Sequence, residues 1–296
     1  MTDITLAAGP LTVVLRPAWG GRVLRAVHER FGDILVPIET DSFVPDQWPK
    51  GGAYPLVPFH NRVSDARFRF QDRSVELPAH PDVAPNALHG FSSRRAWQGA
   101  ALTDTAAHMQ LDHPGDAAWP WRCHAAQDYR LAPDRIDVTV SVSNRDTTPM
   151  PAGIGWHPYL PHLAGIDVDA AHFWPTNPDL TPTGEKQPAA GQDGDTRYLS
   201  DWSRCDMVLD NGLRLSLSAT PELNHIVVYS APAGYVCVEP VSHLANALAR
   251  PPRDPGDGMQ TLAPGETLSG TVALHVQLPG APPMAAPGRM PSEVTK

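Results

Sequence analysis

"RIDVTVSVSN", Arg135–Asn144, is the stretch that decides the fold class. Ile136, Val138, Val140 and Val142 occupy every second position, with Asp137, Thr139 and Ser141 between them. Successive side chains of a strand point to opposite faces, so this pattern puts one apolar face on a core and one polar face outward. A helix would scatter the same residues around its circumference. "LRLSLSA" repeats the pattern with Leu213, Leu215 and Leu217, and "TVALHVQL" does so with Val272, Leu274, Val276 and Leu278. The 33 prolines are spread along the chain and leave little room for long helices. Short strands separated by Pro, Gly and Asp turns predict an all-β sandwich or barrel. No internal repeat or linker-like break interrupts residues 1–278, which read as a single β domain. The last stretch, 279–296, is rich in Pro and Ala without periodicity and reads as a disordered tail.

Composition narrows the function. A hydrophobic fraction of 42% supports a sizeable core, and a net charge of −9 argues against nucleic acid or an anionic membrane as partner. No apolar run reaches membrane-spanning length, and "MTDITLAAGPLTVVLRP" lacks the pattern of a secretory signal. Cys123, Cys205 and Cys237 are odd in number and scattered, which suits free thiols in a reducing compartment. A cytoplasmic protein is expected.

Four segments place polar residues in apolar surroundings: "PLVPFHNRVSD" with His60, Asn61 and Arg62, "NALHGF" with Asn86 and His89, "GIGWHPYL" with His157, and "YVCVEPVSH" with Glu239. Tyr235 to Val238 are apolar on both faces, as in a central strand, with Glu239 at its end and Pro240 stopping it. A carboxylate there is desolvated, which raises its pKa and makes it a competent base; the alternative is a structural pair with an arginine. His157 reads either as a packed histidine bonded to a carbonyl or as a proton carrier, and the glycines before it leave room for close approach. A metal site drawn from His157, His162, His172, His89 and His60 has no diagnostic spacing, so no metal is expected. There is no GxSxG elbow and no phosphate-binding loop. Donors on Arg62, Asn61 and His89 beside the rings of Trp156 and Tyr159 suit a sugar, whose hydroxyls seek polar partners and whose C–H face seeks a ring.

Taken in order, "PLVPFHNRV", "NALHGF", "GIGWHPYL", "LTPTGE" (Leu180 to Glu185), "YVCVEPVSHLANAL" and "LAPGET" (Leu262 to Thr267) resemble the aldose 1-epimerase, or galactose mutarotase-like, family. The "PLVPF…NR" form is closest to its bacterial aldose-epimerase-like branch. The resemblance implies a mainly antiparallel β-supersandwich with its site in a concave sheet face. It implies a cofactor-free interconversion of the α and β anomers of a free aldose, with Glu239 as general base and His157 as general acid. It maps sugar binding onto Arg62 and His89. A nearby carboxylate is expected to help keep His157 protonated. Departures from the family pattern fall at His60, expected to narrow the pocket or to add a ligand contact, at Leu160 and at Val241. The family's sugar-binding aspartate maps onto Asp201 ahead of Asp206. The implied partner is a monosaccharide, with the chain as monomer or homodimer. Two other readings stay open. A hexose-6-phosphate mutarotase would need cations such as Arg94 and Arg95, or Arg67 and Arg69, at the rim. A sugar sensor would bind without needing an acid–base pair.

Overall fold

Arg135–Asn144 forms an antiparallel strand between Trp119–Ala132 and Thr267–Gln277. Its four alternating aliphatics are all buried, as the pattern requires. The computed structural model describes residues 2–191, 194–250 and 256–278, and the tail expected at 279–296 lies outside them. Among the described residues the chain forms one 17-stranded sheet, three two-stranded ladders and only 3-10 turns as helix. The prolines do exclude long helices, yet several strands run longer than their spacing suggests, up to the 14 residues of Trp119–Ala132 and Thr196–Leu209. Leu215 and Leu217 are buried as expected, whereas Leu278 lies beyond the end of its strand and is exposed.

Thr196–Leu209 is the hinge of the architecture. Its C-terminal half pairs with Arg214–Ala219, which continues through Thr267–Gln277 into the long hairpins. Its N-terminal half pairs with His225–Ser230, which leads through Val236–Val241 and Gly155–Leu160 to Ala53–Leu56. One sheet is thereby turned back on itself, and its inner faces enclose a large hydrophobic core containing Trp97, Trp119, Trp121, Val140 and Val272. The opposite face of the second half carries its own cluster, with Trp48, Tyr54, Tyr159, Tyr198, Val227 and Cys237. The site lies on that second face.

Candidate active site

The floor of the site follows from strand register. His157 pairs with Tyr54 on one side. On the other, Gly155 pairs with Val241 and Tyr159 with Cys237, a register that sets His157 opposite Glu239. Glu239 pairs with Val227, and Val227 with Tyr198. Tyr54, His157, Glu239, Val227 and Tyr198 therefore form one row across five strands, all pointing to the same face. The strand does not stop at Pro240 but continues to Val241. Neither Pro158 nor Pro240 can donate a ladder hydrogen bond, so the two strands run past each other at the pair with little backbone constraint.

This row and its neighbours line a cavity of about 270 Å³, walled by Trp48, Asn61, Arg62, His89 and Leu180. That is small-ligand scale rather than a groove for a polymer. Five tyrosines line it, namely Tyr54, Tyr159, Tyr198, Tyr229 and Tyr235. Apart from Tyr159 and Tyr235, which stand within the quoted motifs, they carry no motif signal. What could have found them is strand parity, because each sits an even number of positions from a floor residue on its own strand or directly opposite one.

His157 Nε2 and Glu239 Oε1 are 3.3 Å apart, and both side chains are buried. Burial disfavours charge on each. It pushes the Glu239 carboxyl up to about 8. Burial, reinforced by the positive charge of Arg22, pulls His157 down to about 3. The carboxylate thus does not keep His157 protonated, because desolvation outweighs the attraction. Glu239 Oε2 has no protein hydrogen-bond partner. The His157 ring packs against two tyrosine rings, Tyr54 at 4.5 Å and Tyr159 at 4.8 Å.

Two short loops close one wall. Asn61 and His89 both adopt left-handed backbone conformations, with φ of 55° and 54°. The His89 amide donates to the Asn61 carbonyl, and the Asn61 amide donates to His89 Nδ1 at 3.1 Å. With Nδ1 accepting and burial holding the ring neutral, Nε2 carries the proton as a donor. Asn61 Oδ1 accepts from the Arg62 amide and, at 3.4 Å, from its guanidinium.

The structure thus brings Glu239, His157, Arg62, His89 and Asn61 to one pocket and leaves out three other expected residues. Trp156 precedes His157 and so points to the opposite face, into the main core. His60 is buried away from the pocket, with Nε2 2.6 Å from the His243 carbonyl oxygen. Asp201 accepts from His172 at 2.6 Å and from Asn224 at 2.9 Å, and does not line the cavity. Nor do the glycines of "GIGWHPYL" open space for a ligand. A Cβ on Gly153 would lie 2.1 Å from the His243 ring, and one on Gly155 would lie 2.7 Å from Val241. The cations considered for a phosphate are engaged elsewhere: Arg94 with Asp46, Arg95 with Asp116 and Arg67 with Glu76. None of them, nor Arg69, lines this cavity.

The aldose 1-epimerase family model matches residues 2–275. The chain belongs to the aldose 1-epimerase family. It is 28% identical to the uncharacterized protein YphB of Escherichia coli K12 across 94% of this chain and 99% of that protein. Among solved structures, a galactose mutarotase-like protein from Clostridium acetobutylicum superposes with a TM-score of 0.78 at 20% identity, covering 93% of this chain and 95% of that one. The GalM/aldose epimerase homologue of Caenorhabditis elegans gives a TM-score of 0.79 at 14% identity over 94% and 99%. These two likenesses are of fold, and the all-β supersandwich read from the sequence is the fold they share. No helix among the described residues is long and apolar enough to cross a membrane.

Proposed function

We propose that this aldose 1-epimerase family member interconverts the α and β anomers of a free, neutral aldose without a cofactor. The carrying observation is the His157–Glu239 pair, 3.3 Å apart and buried on the floor of a monosaccharide-scale pocket. Ring opening removes the proton of the anomeric O1–H and adds one to the ring oxygen as C1–O5 breaks. Glu239 serves as base and His157 as acid, each contributing about 10²–10⁴-fold. The reacting carboxylate and imidazolium are reached from the pair that burial favours, protonated Glu239 beside neutral His157, by moving that one proton across the 3.3 Å gap, and ring opening returns the pair to the favoured state. After rotation about C1–C2, Glu239 returns its proton to the carbonyl oxygen while His157 accepts the O5–H proton, and the ring closes on the other face. One proton shared by two sites suffices for the whole cycle. Arg62 and the His89 Nε2–H donate to sugar oxygens and stabilise charge as the ring opens.

The engagement of Arg94, Arg95 and Arg67 in ion pairs outside the cavity speaks for a neutral sugar, while Arg62 and Lys50, the cations that line it, make a sugar phosphate the necessary comparison. Polarimetry or exchange NMR on freshly dissolved α-anomers of glucose, galactose, xylose, arabinose, fucose and glucose-6-phosphate tests the reading. Acceleration on a neutral sugar is expected. Acceleration on the phosphate alone would move the assignment to a hexose-6-phosphate mutarotase. Saturable binding without acceleration would make the protein a sensor.

A further inference from the structure

Cys237 has no part in the chemistry above, yet it shares the pocket floor with both proton carriers. It lies two positions before Glu239 on the same strand and therefore on the same face, opposite Tyr159. A ring nitrogen of His157, the Cys237 sulfur and a carboxylate oxygen of Glu239 all lie within 4.8 Å of one another, and all three residues are buried. The nitrogen–oxygen edge of this triangle is 3.3 Å. Tetrahedral zinc, with bonds of about 2.0–2.3 Å, sets its ligands about 3.4–3.6 Å apart. The nitrogen and oxygen come close to that spacing, and the thiol lies within 4.8 Å of both.

We infer that His157, Cys237 and Glu239 form a binding site for a zinc-class divalent cation, which locks the pocket when it binds. The donor set selects the metal: one imidazole nitrogen, one thiolate and one carboxylate suit zinc or cobalt(II) and disfavour magnesium and calcium, which seek oxygen alone. Glu239 Oε2, buried and without a protein partner, supplies a second carboxylate oxygen at the same point. Three protein ligands leave the fourth tetrahedral position to water or a hydroxyl in the cavity. The bound ion occupies the electron pairs of both His157 and Glu239, so neither can exchange a proton. The site is a ligand-controlled block on the pocket, and it does not rest on the mutarotase reading, since the ion binds whether or not the pair turns a sugar over.

Cobalt(II) is the probe, because a thiolate ligand gives it a near-ultraviolet charge-transfer band and tetrahedral coordination gives it intense visible bands. The full chain, stripped with EDTA, is titrated with cobalt chloride. Saturation at one ion per chain is expected, with both signatures and with displacement by zinc chloride. Cys237→Ser should lose the charge-transfer band while circular dichroism stays native, since Cys123 and Cys205 lie in the main core away from the pocket. His157→Ala retains the thiol and should weaken cobalt binding at least about tenfold. Absence of the band in the unmodified chain, its persistence in Cys237→Ser, or unchanged affinity in His157→Ala overturns the inference. Where a sugar substrate has been found, zinc should slow mutarotation in proportion to occupancy. The spectroscopic signal stands apart from activity, so its failure and failure of the mutarotase reading are told apart.

Discussion

The guanidinium of Arg22 lies 4.3 Å from the centre of the Tyr54 ring, which stacks in turn at 4.5 Å on His157, the proposed acid. Arg22 is fully buried, and no salt bridge to a carboxylate accompanies it among the described residues. Its Nε and Nη1 lack hydrogen-bond partners, and Nη2 reaches only the Ser93 carbonyl at 3.5 Å. Burial lowers its pKa to about 10, which still leaves it charged at neutral pH. An unpaired buried cation is costly, and the Tyr54 and Phe43 rings offset only part of that cost.

Arg22→Met should therefore hold or raise thermal stability, by about 1 kcal/mol or more, where most buried substitutions lower it. It should also raise the pKa of His157, because the positive charge opposing imidazolium is gone. A melting curve checks the first outcome and an NMR titration of the His157 ring checks the second. A purely structural role for Arg22 would move the melting curve down and leave the titration unmoved.

Glu239→Gln removes the proposed base while keeping the shape. Mutarotation should fall by about 10²–10⁴-fold with the circular dichroism spectrum unchanged. His157→Ala should lower kcat far more than it raises KM. Full activity in Glu239→Gln, or an effect of His157→Ala confined to KM, removes the corresponding role.

The same residue shapes stability against pH. The folded-state pKa of Glu239, about 8, lies above its ordinary value of 4.5. The folded state then holds a proton that the unfolded state releases, so the stabilising contribution is full below about pH 4.5 and is lost as pH rises through about 8. His157 acts in the other direction: depressed from 6.5 to about 3, it contributes above 6.5 and loses that contribution as pH falls towards 3. Denaturant unfolding between pH 7 and 9, above the range in which the buried histidines gain their protons on unfolding, should show a decline of roughly 1–2 kcal/mol that flattens in Glu239→Gln. Parallel curves would mean the carboxyl is not held protonated.

Parity gives a third contrast. Trp156 and His157 are neighbours in sequence on opposite faces, so Trp156→Ala should cost about 3–5 kcal/mol of stability while surviving folded enzyme keeps its KM. Tyr198→Phe, on the pocket row, should do the reverse and raise KM with stability changed by about 1 kcal/mol. Chemical denaturation paired with kinetics on the same samples reads both.

Much of the fold and of the site is legible in the sequence. Alternation in Arg135–Asn144 fixed an all-β reading because period two has no helical counterpart. Ordered motifs brought Glu239, His157, Arg62, His89 and Asn61 forward, and all five line one cavity. Trp156 does not belong to the site, since strict alternation excludes it once His157 faces the pocket. Asp201 was not readable: it sits in a left-handed conformation, with φ of 55°, beside a bulge that resets the register. Pro240 misled because proline ends a strand only where its missing N–H is needed by a neighbour. Arg22 gave no signal, since an unpaired buried arginine runs against every compositional expectation.

The row from Tyr54 through His157 to Glu239 draws on strands far apart in the chain. No segment of this protein can preassemble its site locally, and each partner arrives only when a long loop has closed. A slip of one residue in Val236–Val241 would send the Glu239 carboxylate into the apolar core and bring Val238 or Pro240 to face the cavity. The burial that shifts Glu239 and His157 thus also rejects misaligned sheets.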